Sequence, residues 1–598
     1  MLRAVAFTLL LLANATVLAP HRTVWAQDGA MGAPSVTVRP PSVTVRPPSG
    51  AVQAPSAVEA PSGAVLAHNG MVAAQEARAA RIGVEVLKRG GNAIDAAVAV
   101  GFAMAVTHPQ AGNLGGGGFM LVHRADRNET VAIDYRETAP QAITRDAFLD
   151  AGGNADPQKS RASALAIGVP GTVAGLALAH ERHGSGQFTL AELIQPALDL
   201  ARNGFAVEDD LADALPRAQA RLARWPSSAA IFLRSDRTAL APGDLLVQAD
   251  LAASLDLVAR DGTKAFYDGP IAEKIVASVT AAGGVMSRED LRSYRPKILA
   301  PVRGTYRGYD IASMPPPSAG GTLVIEILNI LEGYDLSAGS AEENAHRMVE
   351  AMRLAYADRG AVLGDSAVAA PVERLIAKDY AARLRSTIGP RARPSLSIRS
   401  GVTPHEGNNT THFSIVDRFG NAVSNTYTLN FFFGVGLVAD GTGILLNNEL
   451  DDFAAKPGAP NAFGLVGGDA NAPGPGKKPL SSMAPTLLFK DGRIALVTGS
   501  PGGSSIITTV VEVISNVIDR GMDIAGAVAA PRLHHQWLPD EVFVEQGTPP
   551  DVISGLRARG HQVSERRPWG SANSIMLTPD GIAGAADPRT RGSLAVGY

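Results

Sequence analysis

The 598-residue chain has a formal net charge of -3, 19% charged and 45% hydrophobic residues, and no cysteine. Disulfides, thiol catalysis and cysteine metal ligation are therefore excluded. No basic run stands out, which argues against a nucleic-acid partner.

The first residues carry an export pattern. Arg3 supplies a positive start, Ala4 to Ala19 is apolar, and Val24-Trp25-Ala26 offers a cleavage site. Residues 1–26 are expected to be a signal peptide, and the mature protein to be periplasmic or secreted. No other uncharged apolar run reaches about 18 residues, so no membrane span is expected after signal removal. Residues 27–62 are rich in Pro, Ser, Ala and Val, and Pro34–Pro40 is repeated directly as Pro41–Pro47. Such a segment buries little apolar area and should be an extended linker.

From Met71 the pattern changes. Gln75–Lys88 reads as a helix stopped by Gly90-Gly91, and Asn92 as the N-cap of a second helix through Ile94–Val106. The glycine run Gly115–Gly118 precedes two strand-like runs, Phe119–His123 and Thr130–Tyr135, and Arg136 sits where the second should end. Residues 160–400 read as mostly helical, broken at Pro315–Gly321. The last third is strand-rich. Thr411–Asp417 and Ala422–Leu429 flank a short turn at Gly420-Asn421. Thr486–Lys490 and Arg493–Thr498 flank Asp491-Gly492, a strong hairpin signal. Ile506–Arg520 then reads as a helix. Strands with helices on both sides suggest stacked layers.

The stretch Asn408-Asn409-Thr410-Thr411-His412-Phe413 puts a threonine hydroxyl at the start of a buried strand, straight after a polar loop. A hydroxyl is a weak nucleophile without a base beside it. Cutting the chain before the threonine makes its own α-amino group that base, with a pKa of about 7.7–8.0. Further on come Asn447-Asn448-Glu449-Leu450-Asp451-Asp452, Pro479-Leu480-Ser481-Ser482-Met483 and Thr498-Gly499-Ser500-Pro501-Gly502-Gly503. Taken together, from about Gly63 to Tyr598, these motifs resemble the γ-glutamyltranspeptidase family of N-terminal-nucleophile hydrolases.

That resemblance implies an α/β (α+β) fold, the four-layer αββα sandwich, formed jointly by two autoproteolytic fragments. The pieces would be a large subunit, 63–409, and a small catalytic subunit, 410–598, parted at Asn409-Thr410. It further implies that Thr410 is the nucleophile, that Thr428 orients its hydroxyl, and that Gly502 and Gly503 form the oxyanion hole. Arg136, Ser481 and Ser482 would hold the donor α-carboxylate, and Asn430, Glu449 and Asp452 its α-ammonium, cation and anions being held apart. Glu449 stands where several relatives have Gln. Pro457–Gly468 looks like a lid loop, and Phe463 takes the place of a gating tyrosine. Phe431-Phe432-Phe433 is unusually aromatic and bears on the acceptor side.

The implied activity is γ-glutamyl transfer from glutathione and related amides to amino acids, peptides or water. The alternatives are a glutaryl amidase of cephalosporin-acylase type and an unprocessed γ-glutamyl-binding protein. His534-His535 is adjacent rather than helically spaced and no His-Glu-x-x-His occurs, so that pair reads as structural or surface. No metal and no cofactor are expected.

Overall fold

A computed structural model describes residues 63–365, 371–397 and 410–598. The expected signal peptide, the expected linker and Asn409 lie outside the described residues. Among those described, no helix is long and apolar enough to cross a membrane.

Two seven-stranded sheets form the centre. One runs Leu594–Gly597, Gly70–Ala74, Thr410–Asp417, Ala422–Thr428, Gly117–Arg124, Glu129–Tyr135, Lys297–Leu299. The other runs Val65–Ala67, Gly581–Ala585, Ser574–Thr578, Arg493–Thr498, Thr486–Lys490, Tyr309–Ser313, Val302–Tyr306. Every neighbouring pair in both sheets is antiparallel.

Side chains alternate across each strand, so one sheet feeds two cores. Val72, Ala74, Met120, Val122, Phe413 and Ile415 pack with helices Ala77–Lys88 and Ala93–Thr107. Their neighbours Met71, Ala73, Phe119, Leu121 and Val416 share a core with Ile311, Leu487, Leu496 and Ile575 of the other sheet, and with helices Gly320–Leu331 and Ile506–Ile518. The layers are thus helix, sheet, sheet, helix, as the family resemblance implied. Two strand faces buried at once explain why Gly70–Ala74 and Phe119–Val122 are unbroken apolar runs.

Local signals place the elements. Asn92 caps its helix through a capping box with Asp95, and all fifteen residues of Ala93–Thr107 are buried. The first helix starts two residues later than expected, at Ala77, because the Glu76 carboxylate accepts from Ala79 N and sets the start there. Asp491 and Gly492 take φ of 51° and 76°, the left-handed pair that a tight hairpin demands. The region 160–400 is not only helical: Lys297–Leu299, Val302–Tyr306 and Tyr309–Ser313 are strands. All three are short, Lys297–Leu299 and Val302–Tyr306 lie at sheet edges, and Pro301 and Gly304 break the period-2 signal.

Candidate active site

Thr410 is the first residue of its strand and pairs in register with Thr428 on the next. Its side chain shares a face with His412 and Ser414. That face looks toward the other sheet: Ser414 Oγ donates to the Asn573 carbonyl at 2.9 Å, and a Cβ on Gly499 would meet the His412 ring at 2.4 Å. His412 bonds Thr426 Oγ1 and Ser414 Oγ, and burial pushes its pKa down to about 3. It is a neutral strut between the sheets.

Thr410 Oγ1 lies 3.4 Å from Thr428 Oγ1 and donates to it. Thr428 Oγ1 also accepts from Asn430 N at 2.8 Å, which closes a turn with Asn430 at φ 70°. Asn tolerates that left-handed conformation better than most residues. The Thr428 carbonyl accepts from Asn113 Nδ2 at 2.9 Å, and Asn113 Oδ1 accepts from Gly116 N and from the Thr172 hydroxyl. A Cβ on Gly116 would sit 2.1 Å from the Thr428 carbonyl oxygen. The glycine run therefore lets one loop lie flat against the end of the Thr428 strand.

A cavity opens at this point. Its walls carry Thr410, Thr428, Arg136, Asn430, Glu449, Asp452, Ser481, Ser482, Gly503 and Phe463. Gly502 is not among the lining residues; it adjoins Gly503 at the start of the short turn that leads into helix Ile506–Ile518. Both glycines take positive φ, 137° and 55°. Other residues rarely adopt such angles, so glycine is what allows this loop to bend against the cavity.

The charged wall differs from expectation in one respect. Cation and anions are not held apart: the Arg136 guanidinium donates to Glu449 Oε1 through Nη1 and to Asp452 Oδ2 at 2.6 Å through Nη2. Its Nε donates to the Pro479 carbonyl at 3.1 Å, and Glu137 stands 4.0 Å away. Burial opposes the Arg136 charge, but Glu449, Asp452 and Glu137 outweigh it and hold the guanidinium protonated. Burial raises all three carboxyl groups above their usual range, Glu137 to about 7, while Arg136 pulls the other way. Three acids crowded round one buried guanidinium cannot all be charged cheaply.

Asn447 fixes this wall. Its Oδ1 accepts from Glu449 N and Gly168 N, and its Nδ2 donates to the Gly115 and Gly168 carbonyls. Asn430 Nδ2 donates to the Asn448 carbonyl at 2.9 Å. Ser481 Oγ accepts from Met483 N, and Ser482 Oγ accepts from Arg359 Nη2 at 3.3 Å. Arg359 is a second buried guanidinium, its pKa lowered by burial. In the expected lid, Asn461 Nδ2 donates to Asp452 Oδ1 at 3.1 Å, and the Phe463 ring stands edge-on to Phe431 at 6.0 Å.

Asn113, Glu137, Arg359 and Asn447 were not singled out from sequence. Asn447 opens a quoted motif and Glu137 follows Arg136, so position was available as a signal. Their burial was not. His534 and His535 are both buried, which removes the surface alternative for that pair. Among the described residues, one group has metal-ligand chemistry: His346, Glu350 and His561. Both nitrogens of His346, His561 Nε2 and Glu350 Oε1 already have partners. His346 bonds His561 and the Gly389 carbonyl, and Glu350 accepts from Arg353.

Residues 79–597 match the family described as Gamma-glutamyltranspeptidase. The chain belongs to that family. It is 52% identical over 531 residues to the glutathione hydrolase proenzyme of Escherichia coli strain K12, covering 88% of this chain and 91% of that protein. It is 38% identical over 528 residues to the acylase ACY 1 proenzyme of Pseudomonas sp. strain V22, covering 86% and 91%. The cephalosporin acylase structure from Bacillus halodurans superimposes with a TM-score of 0.79 at 28% identity, covering 94% of this chain and 99% of that one. Hydrolase and acylase relatives thus share one fold in this family, and sequence distance favours the glutathione hydrolases.

Proposed function

We propose that the protein is a γ-glutamyltransferase and glutathione hydrolase that matures by cutting itself at Asn409-Thr410. The observation that carries this is one cavity holding both the Thr410 hydroxyl and the Arg136–Glu449–Asp452 ion-pair cluster. The Thr410 hydroxyl first attacks the Asn409 carbonyl, the peptide becomes an ester, and water opens it. Residues 63–409 and 410–598 are then separate pieces, and the freed Thr410 amine is the base for its own hydroxyl.

In turnover that amine accepts the hydroxyl proton as Oγ1 attacks the donor γ-carbonyl. Thr428 orients Oγ1. The backbone N–H groups of Gly502 and Gly503 meet the oxyanion, an effect of a few kcal/mol on the barrier, about 2.7–4 for one donor. The proton passes to the leaving amine. An amino acid, a peptide or water then takes the γ-glutamyl group from Thr410. No step calls for a metal or cofactor.

The ion-pair cluster supplies selectivity. A γ-glutamyl donor brings one carboxylate and one ammonium. Its carboxylate replaces Glu449 and Asp452 on Arg136, assisted by Ser481 and Ser482, while its ammonium takes over those two acids with Asn430. Every charge keeps a partner. A glutaryl donor has no ammonium, so it would leave buried carboxylates unpaired, a costly outcome. Export, with glutathione and extracytoplasmic acceptors as partners, fits the amino-terminal pattern.

The test compares kcat/KM for γ-glutamyl-anilide and glutaryl-anilide. A preference of at least 100-fold for the γ-glutamyl compound is expected, about what an unpaired buried charge costs. Equal rates or a glutaryl preference would make the protein an acylase on this scaffold. A single full-length band on a denaturing gel with no turnover would leave only a binding role.

A further inference from the structure

A buried hydrogen-bond chain links the cavity wall to the helix that follows Gly502-Gly503. The Phe463 carbonyl accepts from Gln536 Nε2 at 3.0 Å, and the same nitrogen donates to the Leu538 carbonyl at 3.2 Å. With both amide hydrogens spent, Gln536 Oε1 is the acceptor for His534 Nε2 at 2.9 Å. That assigns the tautomer: Nε2 carries the proton and Nδ1 accepts from the Thr508 hydroxyl at 2.9 Å. Thr508 lies in the first turn of helix Ile506–Ile518, and its one hydroxyl proton is shared between His534 Nδ1 and the Ser505 carbonyl, 3.0 Å away.

The imidazole has little freedom. Tyr356 stands edge-on to it at 5.8 Å and donates its hydroxyl to the Ser504 carbonyl. Phe543 stacks on it at 6.2 Å and 15°. His534 and Gln536 are 0% and 3% exposed. The other ties of the Phe463 segment, Asn461 to Asp452 and Ala462 N to Asp451 at 3.0 Å, sit at the acidic wall. Gln536 holds the Phe463 carbonyl, a tie separate from those two acids.

We propose that His534 and Gln536 are positioning residues that fix Phe463 relative to the Gly502-Gly503 loop, and so set how the Thr410 acyl-enzyme divides between amine and water. This rests on the functional reading above. In that partition the bond from the γ-carbonyl to Thr410 Oγ1 breaks as a bond to the acceptor nitrogen or to water oxygen forms. The attacking group's proton goes to Oγ1. Phe463, with Phe431 against it, presents apolar surface at the cavity. A loosened Phe463 admits water, whereas an amine acceptor still gains its own contacts.

The experiment uses the full mature protein with γ-glutamyl-anilide and glycylglycine, reading the ratio of γ-glutamyl-dipeptide to free glutamate. The ratio belongs to each acyl-enzyme, so a loss of folded enzyme does not move it. Gln536→Leu removes the donor at similar volume. Gln536→Glu keeps an acceptor for His534 but cannot donate to Phe463, and serves if the first variant fails to fold. Each is expected to shift the ratio roughly fivefold toward glutamate, the effect of one lost hydrogen bond. An unchanged ratio in the folded variant, or in both, overturns the proposal. A wild-type protein that forms neither product overturns the functional reading, and this one with it.

Discussion

At the scale of single residues, the assignment stands on Thr410. Thr410→Ala removes both the attacking oxygen of self-cleavage and that of turnover. The variant should run as one uncut band and release no anilide; two normal pieces on the gel would sink the nucleophile. Arg136 is a different case. Arg136→Ala leaves Glu137, Glu449 and Asp452 buried around a missing cation, at a cost of roughly 3–5 kcal/mol, so lost activity there would not separate binding from folding. Arg136→Lys keeps the charge but loses the forked geometry that meets two acids at once. We expect the donor KM to rise at least tenfold with the melting temperature shifted far less. An unchanged KM would remove Arg136 from donor binding. Family motifs made Thr410, Arg136, Glu449 and Asp452 legible, but not that Arg136 is already paired with both acids. A sequence gives charge types; which charges meet depends on how Glu129–Tyr135 and the Glu449 turn pack together.

At the scale of elements, local chemistry carried most of the reading. The Thr486–Lys490 and Arg493–Thr498 strands appear at their expected bounds because Asp491-Gly492 fixes the turn between them. The strands at 297–313 were missed because Lys297–Leu299 pairs with Glu129–Tyr135 and Tyr309–Ser313 with Thr486–Lys490, distant partners that their own pattern does not announce. The structure gives the Gly115–Gly118 run a packing reason. Gly116→Ala should drive a methyl group into the Thr428 carbonyl, shift Thr428 away from Thr410, and lower kcat at least tenfold with the donor KM less affected. Wild-type kcat in that variant would show that the loop yields without moving the strand.

Helix Ile506–Ile518 carries a second hidden feature, Glu512. Burial pushes its carboxyl up to about 8, though it accepts from Leu533 N at 2.8 Å and feels Arg532. A carboxyl whose folded pKa lies above its ordinary value of 4.5 contributes stability that is fully present below that value. The contribution is lost as pH rises toward and through about 8. Glu512→Gln keeps the acceptor for Leu533 N and cannot ionise. Its melting temperature relative to wild type should therefore improve steadily from pH 5 to pH 8 (about the interval between the two pKa values). Parallel curves for the two proteins would mean that Glu512 does not titrate in that window.

At the scale of the whole molecule, the proposed cut before Thr410 falls in a fold that does not divide there. In the sheet that holds Thr410, strand Gly70–Ala74 lies between Leu594–Gly597 and Thr410–Asp417, and Gly117–Arg124 pairs with Ala422–Thr428. In the other sheet, Val65–Ala67 pairs with Gly581–Ala585 and Tyr309–Ser313 with Thr486–Lys490. Strands from before and after the proposed cut pair with one another in both sheets, and both cores draw on both pieces. Separating them would break ladder bonds in each sheet and open each core, which amounts to unfolding. We therefore expect the cleaved protein to elute as one species under native conditions and to show two bands only under denaturing ones. It should melt in a single transition followed by light scattering, since the exposed strands would aggregate. Because Thr410–Asp417, Ala422–Thr428, Thr486–Lys490 and Leu594–Gly597 all lose a pairing partner without residues 63–409, residues 410–598 produced alone should not fold. Native elution of two separate species, or a folded and soluble 410–598 fragment, would mean that each piece builds its own core, contrary to the interleaved strand order.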